Sequence, residues 1–150
     1  DGSQANVTFN IMDKGQWIYD QASGKYLRWI EDTDENFNVK MIPLVDRITN
    51  EQLGFSNVVI MFAYYTEYKP TLHDIGIWDN TTGQRAIIFR DGQAFDVLWR
   101  TVDANSPIEF MTSNGEIFAL KPGNTWMVLM GMNSGVKQDA GTWDFNFFLP

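Results

Sequence analysis

The stretch Asn57–Tyr65, NVVIMFAYY, constrains what this chain can fold into more than any other segment. It carries no charge and is enriched in β-branched and aromatic residues, so it reads as a strand. It also lacks the polar–apolar alternation of a half-solvated strand, which suits a strand covered on both faces. We place it at the centre of a sheet. No apolar run in the chain approaches the roughly 18 residues that a membrane-crossing helix requires.

Around this run, turn signals recur at short intervals: Ala22-Ser23-Gly24, Asn80-Thr81-Thr82-Gly83, Asp91-Gly92, Asn114-Gly115 and Pro122-Gly123. Each supplies the positive or fixed φ that a tight turn demands. Strands are predicted between them. Gln16–Asp20 and Lys25–Ile30 flank the first turn, and Asp74–Trp78 and Arg85–Phe89 the second. Ala94–Arg100 follows Asp-Gly, Ile108–Met111 and Ile117–Leu120 flank Asn-Gly, and Trp126–Met130 follows Pro-Gly. Successive hairpin signals of this kind predict an antiparallel meander. Thr49 with Gln52 three residues on is a weak capping box, predicting one short helix that ends near Gly54. Residues 31–36 and 131–141 read as polar loops. The terminal TWDFNFFLP alternates aromatic and polar residues and reads as an integral last strand over 142–149, whose deletion is expected to lower the melting temperature sharply. The expected fold is therefore mainly β: a single antiparallel sheet, open and curved or partly closed into a barrel, with at most one short helix, and residues 1–150 forming one domain.

Nineteen acidic against eleven basic residues give a formal charge of −8, and the basic residues are scattered. A nucleic-acid partner, which draws on clustered Lys and Arg, is therefore not expected, and neither is an anionic membrane surface. The chain has no cysteine, hence no disulfide framework, thiolate nucleophile or Cys-based metal site. It opens at Asp1 without an initiator Met or a signal-like apolar stretch, as expected of a processed end or of a segment cut from a longer chain, with any export signal or anchor lying upstream.

Four blocks in order, YDQASGKYLRW, NEQLGFSNVVI, IIFRDGQAFDVLWR and GEIFALKPGNTWMVLM, resemble the C-terminal domain of the YerB-like bacterial lipoproteins, a family of unknown function. The resemblance covers roughly Ala5 to Leu129. Its most specific pieces are the Arg-Asp-Gly-Gln turn followed by Trp99 and the Leu-Lys-Pro-Gly-Asn-Thr-Trp run. It implies an extracytoplasmic protein of the bacterial cell envelope, anchored through an upstream segment and preceded by another domain. It implies no known reaction or cofactor. Where the family pattern leads us to expect a histidine before the aspartate, this chain reads Pro43-Leu44-Val45-Asp46.

Catalytic signals are sparse. His73 is the single histidine, next to Asp74, and no Gly-x-Ser-x-Gly elbow supplies a nucleophile for it. The acidic loop with Glu31, Asp32, Asp34 and Glu35 could gather oxygens for calcium but lacks the order of an EF-hand loop, and a solvated acidic turn is the simpler reading. No catalytic residue and no metal site are assigned. Of the six tryptophans most are expected in the core, Trp126 packing inward across from a strand at Ile117–Leu120. Trp29 and Trp78 lie beside polar loops and are the candidates for ligand contact, together with His73 and Asp74. The expected function is a non-catalytic envelope module that binds a cell-wall glycan, a peptide or an envelope protein through an aromatic patch or a free sheet edge. The alternative is a supporting domain of an envelope enzyme whose active site needs the upstream domain.

Overall fold

A computed structural model describes residues 1–10, 13–70 and 72–148. Fourteen strands run through them: β1 (Gln4–Asn10), β2 (Asp13–Asp20), β3 (Lys25–Thr33), β4 (Val39–Pro43), β5 (Gly54–Phe55), β6 (Asn57–Ala63), β7 (Tyr65–Lys69), β8 (Leu72–Ile75), β9 (Asn80–Arg90), β10 (Gln93–Thr101), β11 (Glu109–Met111), β12 (Thr125–Gly131), β13 (Gly135–Asp139) and β14 (Thr142–Asn146). The first sheet is ordered β13-β14-β1-β2-β3-β4, with β5 beside β3. The second is ordered β11-β10-β9-β6-β12, and β7 and β8 form a separate hairpin.

The chain is thus mainly β, but it is not a single antiparallel sheet, and neither sheet closes into a barrel. Both sheets are mixed, because β1 pairs with β14 in parallel and β6 pairs with β12 in parallel. Parallel neighbours need long crossovers, and those lie outside what local turn signals encode. The predicted helix is also replaced. Asp46 accepts from the amides of Ile48 at 2.7 Å and Thr49 at 2.9 Å, closing a turn there, and Val45 then bridges Gln52. The Thr49 and Ile48 amides hold the Asp46 carboxyl below its ordinary range. Within residues 131–141, expected to be a loop, β13 forms a hairpin with β14. The last strand is present as β14; residue 149 of the predicted span lies outside the described residues.

Every residue of β6 is buried, as its composition demands. One face contributes Val58, Ile60 and Phe62 to a core shared with the first sheet, where Ala5, Val7, Trp17, Tyr26 and Phe145 point inward. The other contributes Val59, Met61 and Ala63 to a second core with Val97, Trp99 and Phe110. That core is roofed by Ile75 and Ile77 from one side and Phe118 and Leu120 from the other. Sheet, sheet and a cover of hairpin and loops make three layers, and β6 lies in the middle one.

Trp126 does pack inward, but its strand pairs with β6, not with residues 117–120, and Ile117 is exposed. Its ring meets Phe55 at 5.1 Å and Trp17 at 5.8 Å. The Arg28 guanidinium lies over both tryptophans, 4.2 Å from the Trp17 ring and 5.2 Å from that of Trp126. Burial lowers its pKa to about 10, so it remains charged at neutral pH.

Candidate functional site

Parallel pairing of β6 and β12 sends both strands out of the second sheet at the same end, where Tyr64 and Met132 follow them. The antiparallel neighbour β9 begins at that end. A cleft of about 450 Å³ opens there, lined by Tyr64, Trp78, Thr82, Gln84, Arg85 and Met132 among others. Asn80-Thr81-Thr82-Gly83, read above as a hairpin turn, is instead a bulge. Trp99 pairs with Gln84 and Thr101 with Asn80, so β9 spends three residues where β10 spends one. Gly83 takes φ 87°, a left-handed conformation that favours glycine. The bulge pushes Thr81 and Thr82 outward and forms one wall of the cleft.

Trp78 is 50% exposed and Tyr64 61% exposed, yet the backbone around both is fixed. The Asn80 amide nitrogen donates to the Trp99 carbonyl at 2.7 Å, the Thr101 hydroxyl donates to the Ile77 carbonyl, and the Gly76 amide donates to the Tyr64 carbonyl at 2.8 Å. Trp99 itself donates from Nε1 to the Phe62 carbonyl at 3.0 Å. The side-chain oxygen Oε1 of Gln84 is buried without a hydrogen-bond partner among the described residues. Arg85, by contrast, is engaged, its Nε 3.1 Å from Asp96 Oδ1 and its Nη2 2.7 Å from Asp96 Oδ2.

The four residues singled out from the sequence do not converge. Trp78 lines the cleft. His73 and Asp74 lie on β8, where His73 faces Glu67 across the hairpin with Nε2 3.6 Å from Oε2, and neither lines the cleft. Trp29 is half-buried on β3, opposite Gln16 and Pro43 on the outer face of the first sheet, with its indole nitrogen buried and unpartnered. Beside it a smaller groove of about 290 Å³ crosses β1, β2 and β4. Of the other tryptophans, Trp17 and Trp99 are fully buried and Trp126 and Trp143 pack on the core. In the acidic loop, Asp34 spends its oxygens on the Asn36 and Asn38 amides and the Asn38 side chain, which holds its carboxyl below the ordinary range. Among the described residues no three His, Asp or Glu side chains are grouped to hold a metal.

Tyr64 and Gln84 were not singled out from the sequence. Tyr64 is hidden in the apolar run whose end it marks. Gln84 gains its position only through the bulge, for which the sequence signal, a glycine within a strand, is the same as for a turn.

Fold and cleft together define an all-β protein of two stacked mixed sheets with an aromatic-walled opening at the strand ends. A family model described as "Protein of unknown function (DUF3048) C-terminal domain" matches residues 5–127, and the chain belongs to that family. It is similar in fold to the crystal structure of YerB protein from Bacillus subtilis, with a TM-score of 0.65 and 20% identity over 85% of this chain. It spans 39% of the length of that YerB chain. No curated protein matches the sequence. Among the described residues no helix is long and apolar enough to cross a membrane.

Proposed function

We propose that the chain is a non-catalytic binding module of the bacterial cell envelope whose ligand is a glycan held in the cleft at Trp78 and Tyr64. The observation that carries this reading is the pairing, in one cleft, of the exposed aromatic residues Tyr64 and Trp78 on a fixed backbone with the polar residues Asp79 and Thr82 of its lining. A sugar matches that combination. Its C–H face covers an aromatic ring, and hydroxyls on its rim meet polar groups of the lining. The envelope placement rests on the resemblance of the four sequence blocks to lipoproteins, and cell fractionation with an antibody to the chain tests it. The alternative role, supporting an envelope enzyme, would draw on His73 or an acid of this chain, and His73 lines neither of the two grooves described above.

The test of the ligand class is retention of the protein on peptidoglycan fragments and other polysaccharides, with peptides and envelope extracts as parallel arms. Trp78→Ala and Tyr64→Ala should each weaken glycan binding by about tenfold or more, the loss of a ring contact worth about 1.4 kcal/mol. His73→Ala should leave it unchanged. Retention indifferent to both aromatic substitutions would overturn the cleft. Retention on peptides alone, lost with Trp78→Ala, would keep the cleft and replace the glycan.

A further inference from the structure

The groove on the outer face of the first sheet has a chemistry of its own. Its lining includes Lys14 and Lys40 and no acid, while β3, which runs between β2 and β4, places Glu31 opposite Met41 and Asp32 opposite Lys40. Lys14 makes no ion pair among the described residues. Lys40 is 3.5 Å from Asp32, but both side chains are about half exposed, and such a pair holds its partners weakly.

The rest of the lining is built to meet a hydroxylated body. Across β1 and β2, Asn6 lies opposite Gln16 and Thr8 opposite Lys14, so the four side chains form two cross-strand rows on one face. Asn6 is already oriented, its oxygen accepting from Gln4 at 2.9 Å and its nitrogen donating to Asp144 at 2.7 Å. Asp144 thus spends an oxygen on Asn6 and does not line the groove. The Gln16 amide and the Thr8 hydroxyl supply donors and acceptors beside the oriented Asn6, and the two ammonium groups add charge-assisted donors.

We propose that this groove is a second ligand site, which takes a small hydroxylated molecule bearing a single compact oxyanion, a carboxylate or a phosphate. The volume is at the small end for ligand pockets, which run from about 300 Å³ upward. The net charge of −8 repels extended polyanions at long range while the two lysines attract one anionic group at short range. The site shares no residue with the Trp78 cleft, so it stands or falls independently of the function proposed above.

The experiment is a titration of the isotope-labelled chain, following backbone amides by NMR, with inorganic phosphate, glucuronate and glucose as separate probes. Phosphate, glucuronate or both should shift the Thr8, Lys14 and Gln16 amides saturably in the millimolar range, more weakly as salt is raised, and should leave Trp78 and Gln84 unmoved. Response to one anion alone assigns the oxyanion as phosphate or carboxylate. Lys14→Gln should weaken binding by about tenfold, the scale of one charge-assisted hydrogen bond, and Lys40→Gln provides a second, independent variant. Unchanged thermal melting shows that each variant is folded. No saturable shift with either anion, an equal response to glucose, or full binding in the Lys14→Gln/Lys40→Gln double variant would overturn the proposal.

Discussion

Asn57 ties the Lys-Pro-Gly-Asn loop to the core, and its removal should cost more than any surface substitution. It is fully buried at the head of β6. Its side-chain nitrogen donates to the Lys121 carbonyl at 2.8 Å and to the Thr125 hydroxyl at 3.0 Å, while its oxygen accepts from the Lys121 amide at 2.9 Å. One side chain therefore satisfies both backbone groups of Lys121. Asn57→Ala leaves both unpaired, at about 1–3 kcal/mol for each buried group. Since the loop is partly exposed and water reaches some of it, the low end applies, about 2 kcal/mol in total. For a chain of this size that is roughly 4–8 °C in melting temperature. Asn57→Asp separates hydrogen bonding from space filling. One carboxylate oxygen still accepts from the Lys121 amide, but the other then faces the Lys121 carbonyl. Burial raises the folded-state pKa of that carboxyl above its unfolded value. Its contribution is then greatest in acid, where the protonated group donates to the carbonyl, and is lost as pH rises through the unfolded pKa and beyond. Thermal melts of both variants at about pH 4 and pH 7 read this directly. The Ala deficit should be the same at both, and the Asp deficit larger at the higher pH. An Ala variant melting within about 2 °C of the parent would refute the assignment.

Arg28 is half-buried, with Nη1 donating to the Gln16 and Trp29 carbonyls, Nε unpartnered and no ion pair among the described residues, and its guanidinium lies over two tryptophans, so Arg28→Met should stay within about 1 kcal/mol of the parent in urea unfolding, whereas Arg28→Ala should cost about 2–3 kcal/mol for the slot it leaves. Tyr26 is buried and donates to the Gly2 carbonyl at 2.8 Å, and burial raises its pKa far above the ordinary tyrosine value. Its contribution is complete below the unfolded tyrosine pKa of about 10 and is lost above it, so Tyr26→Phe should flatten the fall in melting temperature on the alkaline side. Phe145 packs against Phe62, Phe89 and Trp143, and Phe145→Ala should cost about 3–5 kcal/mol, measured by chemical denaturation.

What the sequence discloses of this fold is local. The Asp91-Gly92 hairpin is legible because both residues take positive φ, 53° and 73°, as a two-residue turn between twisted strands requires. The buried run of β6 is legible because burial on both faces removes alternation. The β1–β14 and β6–β12 pairings are not, since nothing in strand composition names a distant partner. Trp126 shows the consequence: its inward direction follows from the pattern, but its neighbours Phe55 and Trp17 come from elements brought together only by sheet packing. The same holds for the candidate sites. Trp78 beside a polar run is visible in the chain, whereas Gln84 depends on a bulge, and Lys14 and Lys40 on the order β1-β2-β3-β4 within the first sheet.

The parallel register of β1 with β14 joins the two ends of the chain side by side, from Gln4 opposite Thr142 to Thr8 opposite Asn146. Because the strands run in the same direction, a pull on the N-terminal side of β1 and the C-terminal side of β14 draws them past one another. The hydrogen bonds between them are then strained together, in shear, where an antiparallel terminal pair would be peeled open one bond at a time. Phe145 and Val7, both buried on the inner face, would have to slide out of the core in the same step. The fold should therefore resist stretching between its termini well beyond what its thermal stability implies, since forced unfolding is governed by the barrier to the first rupture. Single-molecule extension through the termini should show one high-force event, and pulling instead between β13 and the N-terminus of β14 a lower one.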